Sequence, residues 1–178
     1  VDIDPFALRD FNDPSLAQND LQNINNIIRK GDIFGYNYDI HVNKNELFGT
    51  YSYNKNRIES FFGINTSTTT FWRNGKMQNG RFPESSLGKS EKQNFYNYGL
   101  KLGFLYKITG RHLLSFNAMY KTEAPYVRNA YVSPRTRDQL VPNLNSIEII
   151  SGDLNYNIRL PFLKARLTGF YTQINDQT

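Results

Sequence analysis

An eleven-residue segment of the chain reads Tyr96-Asn97-Tyr98-Gly99-Leu100-Lys101-Leu102-Gly103-Phe104-Leu105-Tyr106. Large apolar residues occupy every second position, and the residues between them are small or polar except for Leu105. Such period-two alternation predicts a β-strand with one apolar face and one polar face. Ten steps of about 3.3 Å, tilted by about 40°, project to roughly 25 Å, which is the height of the apolar band of an outer-membrane barrel.

The aromatic residues of this segment stand at its two ends. Tyr96 and Tyr98 lie at one end, Phe104 and Tyr106 lie at the other, and leucines lie between them. Amphipathic rings prefer the headgroup level of a bilayer, whereas aliphatic side chains prefer its acyl core. We therefore predict a membrane girdle of aromatic side chains. Its predicted members are Tyr96, Tyr98, Phe104, Tyr106, Tyr120, Tyr156 and Tyr171.

Five further segments alternate in the same way and are predicted to be strands. They are 34–53, 58–72, 114–120, 150–158 and 165–171. In the first of these segments the apolar positions change parity. A bulge or tight turn near Asn43–Asn45 is therefore needed to keep one face apolar.

The connections between the predicted strands alternate in length. Long connections at 1–32, 73–94 and 121–146 alternate along the chain with short ones at 54–57, 107–111 and 160–163. Bacterial transmembrane barrels have short turns at their periplasmic end and longer loops at their extracellular end. A soluble sandwich has no reason to keep all its long connections at one end, so the order favours a barrel.

The sequence thus predicts an all-β chain that is an antiparallel transmembrane β-barrel segment. A long extracellular loop at 1–32 precedes barrel strands at 33–178, with long loops at 73–94 and 121–146. About six strands are fewer than the roughly eight of the smallest bacterial membrane barrels, so we expect a part of a larger barrel. Two alternatives stay open. A soluble sheet with one solvated face also alternates and would suit a carbohydrate-binding module using exposed Tyr and Trp72; a porin-like barrel would lack a plug.

The composition of the chain excludes several classes of protein. Aromatics make up 15% of its 178 residues, which is too many for a disordered chain. Cysteine is absent, which removes disulfide scaffolds, thiol nucleophiles and thiolate metal sites. No catalytic motif occurs, and the two histidines stand far apart in the sequence. We therefore expect no enzyme activity, no cofactor, no metal site and no nucleic-acid partner.

Residues 124–137 read Ala-Pro-Tyr-Val-Arg-Asn-Ala-Tyr-Val-Ser-Pro-Arg-Thr-Arg. The sequence continues with Val141-Pro142-Asn143-Leu144, Glu148, Ser151, Asp153, Tyr156 and Leu167-Thr168-Gly169-Phe170-Tyr171-Thr172. This pattern resembles the barrel of TonB-dependent outer-membrane receptors, in which a loop with Ala-Pro-Tyr and Ser-Pro-Arg leads into a descending strand. The upstream stretch Gly35-Tyr36-Asn37-Tyr38 is similar to the start of an earlier hairpin of the same barrels, so that the resemblance covers residues 31–178.

The resemblance implies a 22-stranded barrel around a plug domain, in the outer membrane of a Gram-negative bacterium. Its function would be energised uptake of a nutrient ligand. The implied partners are the rest of the same barrel and its plug, outer-membrane lipid or lipopolysaccharide, and a surface lipoprotein. The TonB complex would act through an N-terminal part that this sequence does not contain.

The two long loops are rich in basic residues, and the net charge of the chain is +5. Such residues bind anionic lipopolysaccharide or an acidic ligand through charge-assisted hydrogen bonds, unless they are simply solvated loop charges. The candidate contacts for an outer-loop ligand or lipid are Trp72, Arg73, Tyr126, Arg128, Arg135 and Arg137. Because ligand contacts in the resembled family come from plug apices and outer loops, none of them follows from a motif.

Overall fold

A computed structural model of the protein describes residues 14–176. The chain is all-β, with antiparallel strands in one sheet. The seven strands are β1 (Tyr38–Lys55), β2 (Ile58–Gly75), β3 (Gly88–Lys89), β4 (Gln93–Lys107), β5 (His112–Glu123), β6 (Ile147–Arg159) and β7 (Lys164–Asn175). Short helices α1 (Pro83–Ser86) and α2 (Val127–Ala130) lie in the long connections, and a 3-10 turn spans Pro14–Ala17.

The six long strands are those that the alternation predicts. They lie in the order β1-β2-β4-β5-β6-β7, and the two-residue β3 pairs with the end of β2. β1 and β7 form the edges of the described sheet, which is not closed into a barrel. Residues 76–92 and 124–146 form the long connections between these strands, slightly shorter than the predicted 73–94 and 121–146, and residues 56–57, 108–111 and 160–163 form the short ones.

The prediction of a bulge or tight turn near Asn43–Asn45 is wrong. β1 runs through these residues without interruption. Tyr38 lies 5.3 Å from the guanidinium of Arg73, and a Cβ on Gly63 would stand 3.6 Å from Thr50. Tyr38 and Thr50, both at even positions of β1, thus contact odd positions of β2, and no change of parity is needed.

The chain divides into two compact units. The described part of the first, the loop unit, comprises residues 14–43, 70–94 and 126–144. The second, the sheet unit, comprises 44–69, 95–125 and 145–176. Each unit is built from segments that are distant in the sequence, so neither can form from one continuous stretch of chain.

The two units differ in what they bury. Among the described residues, the buried hydrophobic side chains of the loop unit are Ala17, Phe71, Ala130 and Tyr131. The sheet unit has one, Leu113. Apart from Pro125, its other buried positions are polar residues or glycine, such as Asn97, Asn155 and Gly63. The sheet unit thus has no apolar core of its own, although its strands carry many large apolar residues.

The predicted long loop at 1–32 is anchored in its described part. Residues 1–13 lie outside the described residues. Further along, the Asp20 carboxylate accepts hydrogen bonds from the backbone N–H groups of Gln22 (3.1 Å) and Gln78 (3.2 Å). The Leu21 N–H donates to the Gln78 carbonyl at 2.8 Å. Because Asp20 is buried, these bonds compensate its desolvation and hold the segment against the connection that follows β2.

Glycine allows close packing on the polar face of the sheet. A Cβ at Gly103 would overlap the ring of Phe61, which lies over this position. We expect Gly103→Ala to lower the free energy of unfolding by about 1–3 kcal/mol, because the ring must move away. Chemical denaturation measures the loss, and a smaller side chain in Phe61→Leu should restore stability to the double variant.

Gly169→Ala is the matched control for this substitution. Gly169 also lies in a strand, and nothing within 4 Å would meet an added Cβ. Its replacement should change stability by less than about 0.5 kcal/mol. Equal effects of the two substitutions would show that Phe61 does not cover Gly103.

Candidate functional surfaces

The first candidate surface is the apolar face of the sheet unit. The strand registers align its residues in rows that cross β4, β5, β6 and β7. The rows are Tyr106, Leu114, Tyr156, Leu167; Phe104, Phe116, Leu154, Gly169; Leu102, Ala118, Gly152, Tyr171; and Leu100, Tyr120, Ile150, Gln173. Except for Gln173, every member is apolar, aromatic or glycine. The alternation of each single strand therefore adds up to a continuous apolar surface.

This apolar face is exposed. Tyr96 is 78% exposed, Leu102 42% and Leu154 52%, and no second layer of described residues covers them. Soluble monomers rarely expose a contiguous apolar surface of this kind, and larger patches mark interaction with protein or membrane. The face is therefore built to contact something apolar.

Tyrosines with hydrogen-bonded hydroxyls lie near both ends of the strands that form this face. At one end the hydroxyls of Tyr98 and Tyr120 are 3.5 Å apart, and Tyr120 donates to the Glu148 carboxylate at 2.7 Å. At the other end the Tyr156 hydroxyl lies 2.8 Å from Nδ1 of His112, the first residue of β5. Both ends thus combine an aromatic ring with a polar group.

The remaining predicted girdle residues also lie on this face. Phe104 pairs with Phe116, and Tyr106 shares a row with Tyr156. Tyr171 lies in the row of Leu102, between the tyrosine-bearing rows. Along the sheet register, Tyr171 and Tyr120 therefore lie in adjacent rows near the middle of β4, and the other five lie nearer its two ends.

The opposite face of the sheet is polar and internally hydrogen-bonded. The Asn117 amide donates to the Asp153 carboxylate at 2.9 Å, and the Asn155 amide donates to the same oxygen. Thr168 donates to the side-chain oxygen of Asn155 at 2.7 Å. Cross-strand pairs of this type contribute about 0.2–1 kcal/mol each. They fix the orientation of polar side chains on a face that no apolar core covers.

A groove of about 320 Å³ lies on this polar face. Its charged lining includes two ion pairs, Lys44 with Glu46 (3.3 Å) and Lys121 with Glu123 (2.9 Å), together with Lys101. The groove thus carries charges of both signs, beside the apolar residues Phe48 and Ile64. Such a lining suits contact with water or with a polar partner.

The second candidate surface is the loop unit, whose centre is Arg73. This residue is 1% exposed. Its Nε donates to the Pro134 carbonyl and its Nη1 to the Ser86 carbonyl, both at 2.7 Å. Its backbone N–H donates to the Ser90 hydroxyl at 2.9 Å. One guanidinium group therefore ties the connection between β2 and β4 to the connection between β5 and β6.

The surroundings of Arg73 are consistent with a structural role. Burial lowers the pKa of Arg73, and the nearby Asp138 carboxylate acts in the opposite direction. An arginine remains protonated even so, because its ordinary pKa is very high. Since its guanidinium is buried and engaged, Arg73 is not an exposed loop contact, which corrects its place among the predicted ligand or lipid residues.

The other predicted loop contacts fall into two groups. Tyr126 and Arg128 are exposed, and the guanidinium of exposed Arg135 lies 5.1 Å from the ring of Tyr36. Arg137 is half-buried with its guanidinium 4.3 Å from the ring of Phe82. Arg135 and Arg137 therefore each place their guanidinium against an aromatic ring of the loop unit.

Trp72 lies in a basic cluster that the sequence does not reveal. The His41 ring stacks on its indole at 4.9 Å between centroids, with an angle of 10° between the planes. The ammonium groups of Lys89 and Lys92 each lie 4.9 Å from the centroid of the indole. His41 and Trp72 thus lie on the same side of their two strands.

Nothing in the comparisons with known proteins assigns these surfaces. No protein-family model matches the chain, and no curated protein and no solved structure matches it. Within residues 14–176, no helix is long and apolar enough to span a membrane. The same residues contain no group of three or more His, Asp or Glu side chains placed to hold a metal ion.

Proposed function

We propose that this chain forms part of the wall of a TonB-dependent receptor in the outer membrane of a Gram-negative bacterium, and that the barrel mediates energised uptake of a nutrient ligand. One observation carries the membrane part of the proposal. The apolar face of the sheet unit is exposed, and Leu113 is the one buried hydrophobic side chain among its described residues.

Physical chemistry connects that observation with a bilayer. A soluble sheet with one solvated face turns its apolar side towards a core and its polar side towards water. In this sheet the apolar side is uncovered, whereas Asn97 and Asn155 on the polar side are buried. That arrangement suits a barrel wall, whose outer surface contacts acyl chains and whose interior is polar. It argues against the soluble carbohydrate-binding module.

The receptor part of the proposal rests on the loops and on the family resemblance. The Ala-Pro-Tyr and Ser-Pro-Arg segments, which carry the resemblance, lie in the connection that Arg73 holds through the Pro134 carbonyl. An ordered loop unit of this kind is suited to form the outer mouth of a receptor. The polar groove beside Lys101 and Lys121 would then face the barrel interior and its plug.

Dependence on detergent tests the membrane proposal. We expect the protein to need detergent or lipid to remain folded and monomeric, because water would otherwise contact the apolar rows. Size-exclusion chromatography and circular dichroism with and without dodecyl maltoside measure this dependence. A chain that stays folded and monomeric in plain buffer would contradict the proposal.

The complete gene product tests the receptor proposal against a porin-like barrel. Its sequence should encode a plug and a TonB-binding segment, and ligand uptake by cells should stop when the proton-motive force is collapsed. Uptake that continues under these conditions would identify a passive barrel instead. Because this test uses uptake, its outcome is independent of the detergent experiment.

A further inference from the structure

The cluster around Trp72 combines two cations and an aromatic ring at one place. Lys89 and Lys92 both direct their ammonium groups over the same indole, each at 4.9 Å from its centroid. Two groups at 4.9 Å from one centroid are at most 9.8 Å apart (twice 4.9 Å), so one anion can lie between both charges. Cation–π attraction contributes about 0.5–1 kcal/mol at exposed sites and leaves the charge of each lysine unneutralised.

These two positive charges are not neutralised within the described part of the chain. The ion pairs found there are those of Lys44, Lys76, Lys107 and Lys121. Glu91, which stands between the two lysines in the sequence, forms no ion pair with either. An anion placed between the ammonium groups would thus gain two attractive interactions and relieve their mutual repulsion.

The backbone around the cluster is held in place. β3 pairs with β2 so that Lys89 lies opposite Asn74, and the Ser90 N–H donates to the Arg73 carbonyl at 2.8 Å. The stacked ring of His41 fixes the orientation of the indole from the neighbouring strand. An anion would therefore meet two exposed lysines, of which Lys89 stands on a paired backbone, beside an indole of fixed orientation.

The position of Trp72 on its strand indicates the kind of anion. Trp72 occupies an even position of β2, in phase with Phe62 and Ile64, which are 47% and 52% exposed. On the proposed function, that face contacts lipid, and indole rings prefer the interface of a bilayer. We propose that the Trp72 cluster, consisting of His41, Trp72, Lys89 and Lys92, binds the phosphate group of an anionic outer-leaflet lipid.

Trp72 itself provides the measurement, because it is the one tryptophan of the chain. The protein in dodecyl maltoside is titrated with phosphatidic acid or, in parallel, with phosphatidylcholine, and tryptophan emission is recorded. We expect a saturable change with phosphatidic acid that weakens as salt is added. The double variant Lys89→Gln/Lys92→Gln should bind roughly 30-fold more weakly, given the usual contribution of a basic residue near an anionic surface.

A charge-matched variant controls for the general attraction of a basic protein to an anion. Lys55→Gln/Lys164→Gln removes two exposed lysines from the short-turn side of the sheet and should leave the titration unchanged. Equal weakening in this control would overturn the site. Inorganic phosphate that saturates the emission change as readily as phosphatidic acid would overturn the assignment to a lipid.

The outcomes separate this inference from the function on which it rests. A protein that is folded and monomeric in plain buffer refutes the membrane proposal whatever the emission shows. A protein that requires detergent but shows no lysine-dependent change refutes the lipid site alone. Circular dichroism of both double variants verifies that they fold.

Discussion

Replacing Leu102 by arginine should lower the free energy of unfolding in a lipid or detergent environment by about 2–4 kcal/mol, which is the cost of a basic side chain near the middle of a bilayer. Leu102 lies on the exposed apolar face, in the row of Ala118 and Gly152. If water rather than lipid contacts this face, the same substitution should change stability by no more than about 0.5 kcal/mol. Denaturant titration of the protein in micelles distinguishes the two results.

Leu105→Arg provides a control with the same chemistry on the other face of the same strand. Leu105 pairs with Ser115 and lines a groove that also contains Glu59, so an arginine there has water and a carboxylate nearby. We expect a cost of about 1 kcal/mol or less. Equal sensitivity of Leu102 and Leu105 would contradict the assignment of the two faces. Position 99 is unsuitable as a control, because any Cβ there would overlap the Asn65 side chain.

The strands were predictable because their alternation is local. In β4, each large residue from Tyr96 to Tyr106 is two positions from the next, and this period alone determines which side chains share a face. Predicting the rows that cross the strands also requires the register of each strand pair. A period of two does not determine the partner of Leu102, and the pairing with Ala118 comes from the short turn between β4 and β5.

The interior of the loop unit was not predictable, because its contacts join residues that are distant in sequence. From the sequence, Arg73 is a loop cation. In the structure it is buried, and its guanidinium donates to the Pro134 carbonyl, 61 positions further along the chain. Tyr38 reads as a member of the same apolar face as Tyr51, yet it lies against Arg73 on the other side of the sheet. Alternation shows which residues face the same way, and it does not show what will cover them.

The Trp72 cluster shows the same limit. His41 and Trp72 come from neighbouring strands, and Lys89 reaches the indole because β3 pairs with the end of β2. Trp72 was predicted to contact a ligand or lipid on the basis of its residue type alone. The contact with Lys89 depends on the pairing of the short strand after α1 with β2, which the sequence does not predict.

The substitution Arg73→Met removes the buried cation. It should release the β2–β4 connection from the β5–β6 connection. The carbonyls of Ser86 and Pro134 would lose their charged donor, and hydrogen bonds to charged groups are worth about 1.5–3 kcal/mol each. We expect the local stability of the loop unit to fall by about 2–5 kcal/mol, while the paired strands of the sheet unit stay folded. Hydrogen exchange measures this change at the amides of Ser90 and Asp138, which bond within the loop unit.

Arg81→Met serves as the control for the Arg73 substitution, because Arg81 is exposed in the same connection. It removes an equal charge and should leave the exchange of both amides unchanged. Amides of the β5–β6 pairing, such as those around Ala118 and Gly152, should also keep their protection in both variants. If Arg73→Met leaves Ser90 and Asp138 as protected as before, the loops are held by their remaining contacts and the guanidinium is not their anchor. If instead protection is lost across β5 and β6 as well, the loop unit and the sheet unit unfold together.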